Sequence, residues 1–236
     1  MDITPITRVA VSDEVSAQLM SNILTGTLRP GDALPAEREL ADEFGVNRHA
    51  VREALKEVRR AGLVQIAHGG KTRVLNWRAH SGLDVLSMVA ATGVVPPLQV
   101  LRDVAELRRT IAADSAYLCA QRASPEQREL LLELARQYPD GGYALDAEFW
   151  TTLIDGSGNL AYRLALNTML DGIRDIGEAT FGALGFDAEI QDRSAHLELA
   201  QAISENEAER ARYLTSTMLA GVIDAINELS DNTSEE

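Results

Sequence analysis

Apolar residues recur every three or four positions along most of the chain, which is the spacing of amphipathic helices. Near the N terminus, Val15, Leu19 and Ile23 predict a first helix. Ser12 is a suitable N-cap for it, and Gly26 suits the end. The chain therefore opens with a helix that has one buried face.

Two further helices are predicted at close spacing. Pro35 fits the first turn of a helix in "PAERELADEFG", and Asn47 is a natural N-cap for "VNRHAVREALKEVRRAG". The small Ala41 permits close approach, Gly45 permits a left-handed turn, and Val51 fixes the crossing. These are the needs of a helix-turn-helix, although a helix hairpin that only packs is the alternative.

The segment that follows predicts a β-hairpin. "LVQIA" and "TRVLNW" alternate partially, and "HGGK" between them supplies the glycines of a tight turn. A two-stranded ribbon directly behind a helix-turn-helix is a wing. A bare hairpin turn would explain the glycines but not their position behind the third helix.

The remainder of the chain has helical periodicity without strand-like segments. Helices are predicted at 81–92, 98–122, 124–138, 143–154, 158–184, 188–204 and 206–229. The fold class is therefore mainly α: an N-terminal winged helix-turn-helix plus a C-terminal all-α helical bundle. The predicted divisions are a DNA-binding domain at 8–76, a linker and connecting helix at 77–97, an effector-binding domain at 98–230, and a disordered tail at 231–236.

Charge divides the chain in the same way. The net charge is −14, but residues 1–78 hold 11 basic and 10 acidic side chains, whereas residues 79–236 hold 11 and 26. Between Phe44 and Arg78 there are eight basic residues and two acidic ones. This excess predicts a polyanion-binding face, and on charge alone a solvated charge run is the alternative.

Composition excludes several classes of protein. There is no apolar run of the roughly 18 to 20 residues that a membrane span needs, and the N terminus lacks the apolar core of a secretory signal. Cys119 is the single cysteine, so an internal disulfide and a cysteine-cluster metal site are excluded. No catalytic triad pattern or phosphate-binding loop is present. We expect a cytoplasmic protein that is not an enzyme and has no membrane partner.

Arginines at the start of the third predicted helix give the first unit its chemistry. Arg48 and Arg52 are four residues apart and share a face. The first turn of a recognition helix contacts base edges, and arginine offers guanine a bidentate fork. Asn47 and His49 lie beside them, and Arg38 comes from the preceding helix.

The stretch from "GTLRPGDALPAERELADEFG" to "HGGKTRV" resembles the GntR family of winged-helix regulators. "HGGKTRVLNW" followed by "SGLDVLSMVA" resembles its fatty-acid-responsive FadR subfamily. The resemblance implies that four residues contact the operator: Arg38, Arg48, Arg52 and His68. It places neighbouring contacts at Asn47, His49 and Gly69.

The segments "LRDVAELRRTIAADSA", "LDAEFW" and "HLELAQAISENEAERARYLTSTM" resemble the FCD, or FadR-C, ligand domain. Many such domains hold a divalent metal with one aspartate and three histidines. The corresponding positions here are Asp146, Trp150, His196 and Met218. Tryptophan and methionine do not suit such a cation, so we expect no metal and a degenerate pair, Asp146 and His196.

Trp150 and Met218 would add apolar lining to the ligand cavity, which suits an acyl chain. The resemblance implies a long-chain fatty acyl-CoA as effector, with Arg108 facing it. A surface ion pair of Arg108 with Asp103 or Glu106 is the alternative.

Together these features predict a transcription regulator of fatty-acid metabolism genes. It would bind double-stranded DNA at a palindromic operator as a homodimer and be released by long-chain fatty acyl-CoA. A regulator that responds to a small carboxylate, possibly with a metal, is the alternative.

Overall fold

The computed structural model describes residues 10–66, 70–176, 182 and 188–234. The chain divides into two compact units, Met1–Pro97 and Leu98–Glu236. Within the described ranges the regular elements are helices and one two-stranded antiparallel sheet. The predicted fold class, mainly α with a two-stranded wing, is confirmed.

The first unit is built around a helix pair. Its elements are α1 (Val11–Leu24), α2 (Glu37–Phe44), α3 (Arg48–Arg60), β1 (Val64–Ile66), β2 (Thr72–Val74), α4 (Trp77–His80), a 3₁₀ turn (Leu83–Val85) and α5 (Leu86–Thr92). Helix α1 packs on α3 and α5, and α2 packs on α3. Val51 on α3 is fully buried against Leu40 and Ala41 of α2, so the predicted helix crossing is present.

The cap of α3 is the predicted one, whereas that of α1 is not. Asn47 Oδ1 accepts a hydrogen bond from the Ala50 N–H at 2.9 Å, which satisfies a free donor at the helix start. The prediction of Ser12 as N-cap is wrong, because α1 begins at Val11 with Ala10 at the N-cap position. Ser12 Oγ instead bonds to the Asp13 carboxylate at 3.2 Å.

The start of α2 also differs from its prediction. Pro35 lies outside the first turn, since Ala36 is the N-cap and the helix begins at Glu37. The Glu39 carboxylate accepts the Ala36 N–H at 2.9 Å. At the other end Gly45 has φ 66°, in the left-handed region that the predicted turn requires.

Strands β1 and β2 pair antiparallel, with Val64 opposite Val74 and Ile66 opposite Thr72. Val64 and Val74 are buried, whereas Gln65 and Arg73 are exposed. The ribbon therefore joins the core at the Val64–Val74 pair, whereas its other end, where Ile66 is 60% exposed, is solvated. Residues 67–69, which include the predicted contacts His68 and Gly69, lie outside the described residues.

The second unit consists of helices around one apolar core. Its elements are α6 (Pro97–Arg122), α7 (Pro125–Arg136), α8 (Gly142–Gly156), α9 (Leu160–Ile176), a 3₁₀ turn (Ala188–Gln191), α10 (Arg193–Ser204) and α11 (Ala208–Ser234). Helix α10 packs on α7 and α11, and α8 packs on α7 and α9. The core contains Phe149, Leu153, Leu199 and Ile203, each 0% exposed.

Two predicted boundaries in this part of the chain need correction, and a third falls largely outside the described residues. The predicted helix 188–204 is interrupted at Asp192, whose carboxylate caps α10 by accepting the Ala195 N–H at 3.0 Å. The tail predicted as disordered from residue 231 continues α11 to Ser234. Most of the predicted helix beyond residue 176 lies outside the described residues.

Residues 77–97 were predicted as linker and connecting helix, and in the structure they belong to the first unit. A close approach at the end of α3 explains part of this association. A Cβ atom built on Gly62, which has φ 72°, would lie 2.3 Å from the His80 carbonyl oxygen. Only glycine permits this backbone contact between the end of α3 and α4.

Candidate nucleic-acid interface and effector site

The arginines predicted to contact DNA lie on the surface of the first unit. Arg38 is in the first turn of α2, Arg48 opens α3, and Arg52 follows one turn later. All three are exposed. Arg52 Nη2 lies 3.1 Å from Glu37 Oε2, and its side chain is 56% exposed. An ion pair this exposed contributes little stability, so a DNA group can replace Glu37 as the partner of Arg52.

The two neighbouring predicted contacts differ in what they can offer. Asn47 is exposed, but its side-chain oxygen already accepts the Ala50 N–H. Its NH₂ group is therefore the part that remains for a base or phosphate. His49 is exposed in the first turn of α3.

The wing adds basic side chains on its solvated face. Lys71 and Arg73 are exposed, and Arg73 Nη1 donates to the Gly31 carbonyl at 2.7 Å. This bond ties β2 to the turn before α2. Lys56, farther along α3, is paired with Glu53 at 2.8 Å. Exposed basic side chains thus lie at the start of α3, at its end, where Arg59 and Arg60 are, and on the wing.

In the second unit a small cavity of about 10 Å³ lies beside α6. This volume is roughly the room that one water needs. Among the described residues one charged side chain lines it, that of Arg108, and the other described lining residues are apolar: Ile111, Ala112, Trp150, Ile154, Leu166 and Met169. A single guanidinium in an otherwise apolar wall is the pattern of a small-molecule site.

Arg108 does not form the surface ion pair that was the alternative prediction. It pairs with Glu189 of the 3₁₀ turn in a short contact, and its Nη2 lies 3.9 Å from Asp146 Oδ2. Asp103 and Glu106 pair instead with Arg102, each at 3.9 Å. The Arg108 side chain is 17% exposed and that of Glu189 is 4% exposed. The guanidinium therefore belongs to a buried charge cluster.

Asp146 on α8 is fixed by several donors. Tyr138 Oη donates to Asp146 Oδ1 at 2.9 Å, and Trp150 Nε1 donates to the same oxygen at 3.0 Å. The guanidinium of Arg108 also lies 5.3 Å from the centre of the Trp150 ring. Predicted site residues Arg108, Asp146 and Trp150 are thus brought together.

His196 is fully buried in the same cluster. Its ring stacks on Tyr138 at 3.6 Å, and its Nδ1 lies 2.8 Å from the Asp192 carbonyl oxygen. A carbonyl can only accept, so Nδ1 donates and Nε2 carries the lone pair of a neutral ring. Burial lowers the pKa of His196. Nε2 has no hydrogen-bond partner among the described residues and lies 3.9 Å from Asp146 Oδ1.

These residues do not suit a divalent cation. Of the four family positions, Trp150 donates to Asp146 through its N–H, and Met218 is a half-buried side chain packed on the core. The Arg108 guanidinium already places a positive charge beside Asp146. Within the described ranges no group of three or more His, Cys, Asp or Glu side chains could hold a metal ion.

Two parts of this arrangement differ from the sequence expectation. Met218 packs against the core but does not line the cavity. Glu189 and Tyr138 were not predicted at all. Glu189 is 81 residues from Arg108 in the chain, and an isolated glutamate before a helix carries no local signal of such a pairing.

Fold and surface define the class of protein: a winged helix-turn-helix DNA-binding unit joined to a helical unit with an internal cavity. Residues 11–74 match the model of bacterial regulatory proteins of the gntR family, and residues 103–221 match the FCD domain. The chain therefore belongs to the GntR family of transcription regulators. The family is one of DNA-binding regulators, and the FCD domain is its small-molecule effector domain.

Relatives agree with this assignment. The chain is 35% identical over 233 residues to the HTH-type transcriptional regulator Mce2R of Mycobacterium tuberculosis (strain CDC 1551 / Oshkosh), covering 93% of this chain and 92% of that protein. It is 33% identical over 178 residues to a fatty acid metabolism regulator protein of Klebsiella pneumoniae (strain 342), covering 71% and 74%. A solved structure of Lar, from work on the Listeria monocytogenes agr system, covers 95% of this chain and 100% of its own with TM-score 0.57. At 15% identity, that likeness concerns the fold alone.

No helix within the described ranges combines the length and apolar character that a membrane crossing requires.

Proposed function

We propose that this protein regulates transcription of fatty-acid metabolism genes. It binds a palindromic operator as a homodimer, and a long-chain fatty acyl-CoA or related lipid in the second unit releases it. The observation that carries this proposal is the pairing of an exposed arginine surface at the start of α3 with an apolar cavity that holds one buried guanidinium.

The first half of the proposal rests on the chemistry of α3. Arg48 and Arg52 present guanidinium groups one turn apart at the end of the helix that enters the major groove in this motif. Arg38 on α2 and the wing residues Lys71 and Arg73 are also exposed and add further positive charge to this unit. Helix-turn-helix dimers bind two half-sites about one helical turn apart, which is why the proposed operator is a palindrome and the proposed binding form a homodimer.

The second half rests on the cavity. Its lining is aliphatic and aromatic apart from Arg108, and an acyl chain with one polar end matches that lining. Curated relatives named fatty acid metabolism regulator protein support the same ligand class. The residues proposed to contact the effector are Arg108 and Trp150, which line the cavity, whereas Met218 packs on the core and is not among the lining residues.

Nuclease footprinting on the DNA upstream of the gene, at fixed salt, tests the DNA half. We expect a protected palindrome and two chains per duplex by sedimentation. Arg48→Ala should weaken binding to that site by roughly 1–3 kcal/mol, because a bidentate base contact is lost.

Arg136→Ala is the matched control. Arg136 is an exposed arginine in the last turn of α7, in the acidic unit, and its removal should leave the footprint unchanged. Equal binding by the Arg48 variant and the wild type would refute the assignment of α3 as the recognition helix.

A second candidate is a regulator that responds to a small carboxylate, possibly with a metal. It is favoured by one observation: His196 is oriented by Asp192 so that a free Nε2 lone pair faces Asp146. Metal analysis of the purified protein separates the two candidates. Stoichiometric zinc would support this second function, and its absence from protein prepared without chelators would favour the acyl ligand.

A further inference from the structure

The two carboxylates beside Arg108 are held very differently. Asp146 accepts from Tyr138 and Trp150 as well as lying near the guanidinium. Glu189 has a single partner for one oxygen, Arg108, while its Oε2 is buried without a hydrogen-bond partner among the described residues. Of the two, Glu189 is the carboxylate that can leave the guanidinium at the lower cost.

Burial also disfavours the ionised form of Glu189. The residue is 7% exposed, and an ionised carboxylate with one unsatisfied oxygen loses hydration that a single ion pair only partly replaces. Once displaced into water, this carboxylate would regain that hydration. The Glu189 carboxylate can therefore be replaced at Arg108 by another anion.

Arg108 cannot remain without a partner when Glu189 leaves. A guanidinium is always charged in proteins, and this one lies in a wall whose other residues are apolar. Asp146, at 3.9 Å, is too far to replace a direct hydrogen bond. An incoming carboxylate can form two parallel N–H···O bonds with the guanidinium, where Glu189 forms one, and a neutral alcohol or thioester cannot.

The apolar residues of the cavity indicate where the rest of such a ligand would lie. Ile111, Ala112 and Trp150 line the same cavity as Arg108. A ligand whose carboxylate takes the position of the Glu189 carboxylate would therefore extend its chain along these residues. Because the cavity now holds about 10 Å³, its walls must separate as the chain enters.

We propose that the Glu189 carboxylate occupies the anion position of an effector site and that a free long-chain fatty acid replaces it at Arg108. This inference rests on the proposed function, since it assumes that the second unit binds an acyl compound. It adds free fatty acids to the effectors and assigns Glu189 as the internal competitor.

Direct binding of palmitate, palmitoyl-CoA and 1-hexadecanol to the full chain tests the proposal, measured below micellar concentrations by tryptophan fluorescence. The variant is Glu189→Gln, which keeps the size of the side chain and removes its charge. Asp155→Asn is the matched control, because Asp155 pairs with Arg163 at 3.1 Å and does not line the cavity. Arg108→Met tests the anchor.

We expect palmitate to bind the wild type and to bind Glu189→Gln at least tenfold more tightly, with no gain in Asp155→Asn. Hexadecanol should bind weakly to both and gain nothing from Glu189→Gln. Palmitate affinity should fall at least tenfold in Arg108→Met, with the far-ultraviolet circular dichroism of each variant checked first.

The other outcomes separate the two proposals. Palmitoyl-CoA binding without palmitate binding would overturn the exchange while leaving the proposed function intact. Equal palmitate affinity of wild type and Glu189→Gln would also overturn it, as would an equal gain for hexadecanol. If no acyl compound binds any form, the proposed effector class is wrong as well.

Discussion

At the scale of single residues, the guanidinium of Arg108 is the central group of the buried charge cluster in the second unit. The sequence placed Arg108 toward a ligand through the family resemblance, but its immediate partner in space could not be predicted. Glu189 reaches it only because the 3₁₀ turn before α10 packs against α8 and α11. Long-range ion pairs of this kind depend on tertiary packing and leave no periodic signal.

Burial changes the pKa of Glu189, and this change should appear as a pH dependence of stability. Burial raises the pKa of the Glu189 carboxyl to about 7 and Asp146 acts in the same direction, while Arg108 opposes them. In the unfolded chain a glutamate titrates near its usual value of about 4.3. Between these two pH values the folded state binds more protons, so stability from Glu189 is present at pH 5 and lost as pH rises through 7.

We therefore expect the free energy of unfolding of the wild type, relative to Glu189→Gln, to decrease between pH 5 and pH 8. The decrease should be on the order of 2 kcal/mol. Urea unfolding of both proteins at four pH values measures it, and the subtraction removes the groups that the two proteins share, His196 and Tyr138 included. A difference that stays constant across this range would show that Glu189 titrates at its ordinary value.

At the scale of elements, local sequence patterns predicted the positions of the helices better than the residues at which the helices begin and end. Asn47 and Gly45 were predicted correctly because cap and turn chemistry is encoded within three or four residues. Ser12 was a suitable cap by type, yet α1 starts one residue before it. Competing cap positions differ by about 1 kcal/mol, which packing of the helix easily outweighs.

The end of α3 provides a test of packing between elements. Gly62 has φ 72° and lies against the His80 carbonyl, so Gly62→Ala adds left-handed strain and a backbone clash. We expect a loss of about 2–4 kcal/mol in the free energy of unfolding of the first unit. Urea unfolding followed at Trp77, which begins α4, measures the loss.

Gly45→Ala is the matched control for this substitution. Gly45 has φ 66°, but nothing lies within 4 Å of an added Cβ. That variant should lose only the left-handed strain, about 1–2 kcal/mol. Equal losses in the two variants would show that the contact with His80 carries no energy.

At the scale of the whole molecule, charge segregation in the sequence indicated two units correctly, whereas the boundary between them differs. A linker and connecting helix were predicted at 77–97, between the wing and the all-helical part of the chain. The structure instead places these residues in the first unit, which ends at Pro97. Contacts such as that of Gly62 with His80 come from folding in three dimensions and were not visible in the pattern.

This boundary indicates where an effector signal must pass along the chain. A Gly-Ser insertion after Val94, between α5 and α6, lengthens the connection without entering either helix. We expect the altered protein to bind its operator normally and to lose the response to the effector. Gel shifts with and without palmitoyl-CoA measure both properties, and a full response in the insertion variant would show that the signal does not depend on this connection.

We propose above that an acyl effector in the second unit controls DNA binding by the first. Fluorescence anisotropy of a labelled operator fragment, bound to the full chain and titrated with palmitoyl-CoA, measures this control. We expect saturable release of the DNA by palmitoyl-CoA and none by coenzyme A alone. Anisotropy that stays constant with palmitoyl-CoA and with palmitate, while the DNA remains bound, would contradict it.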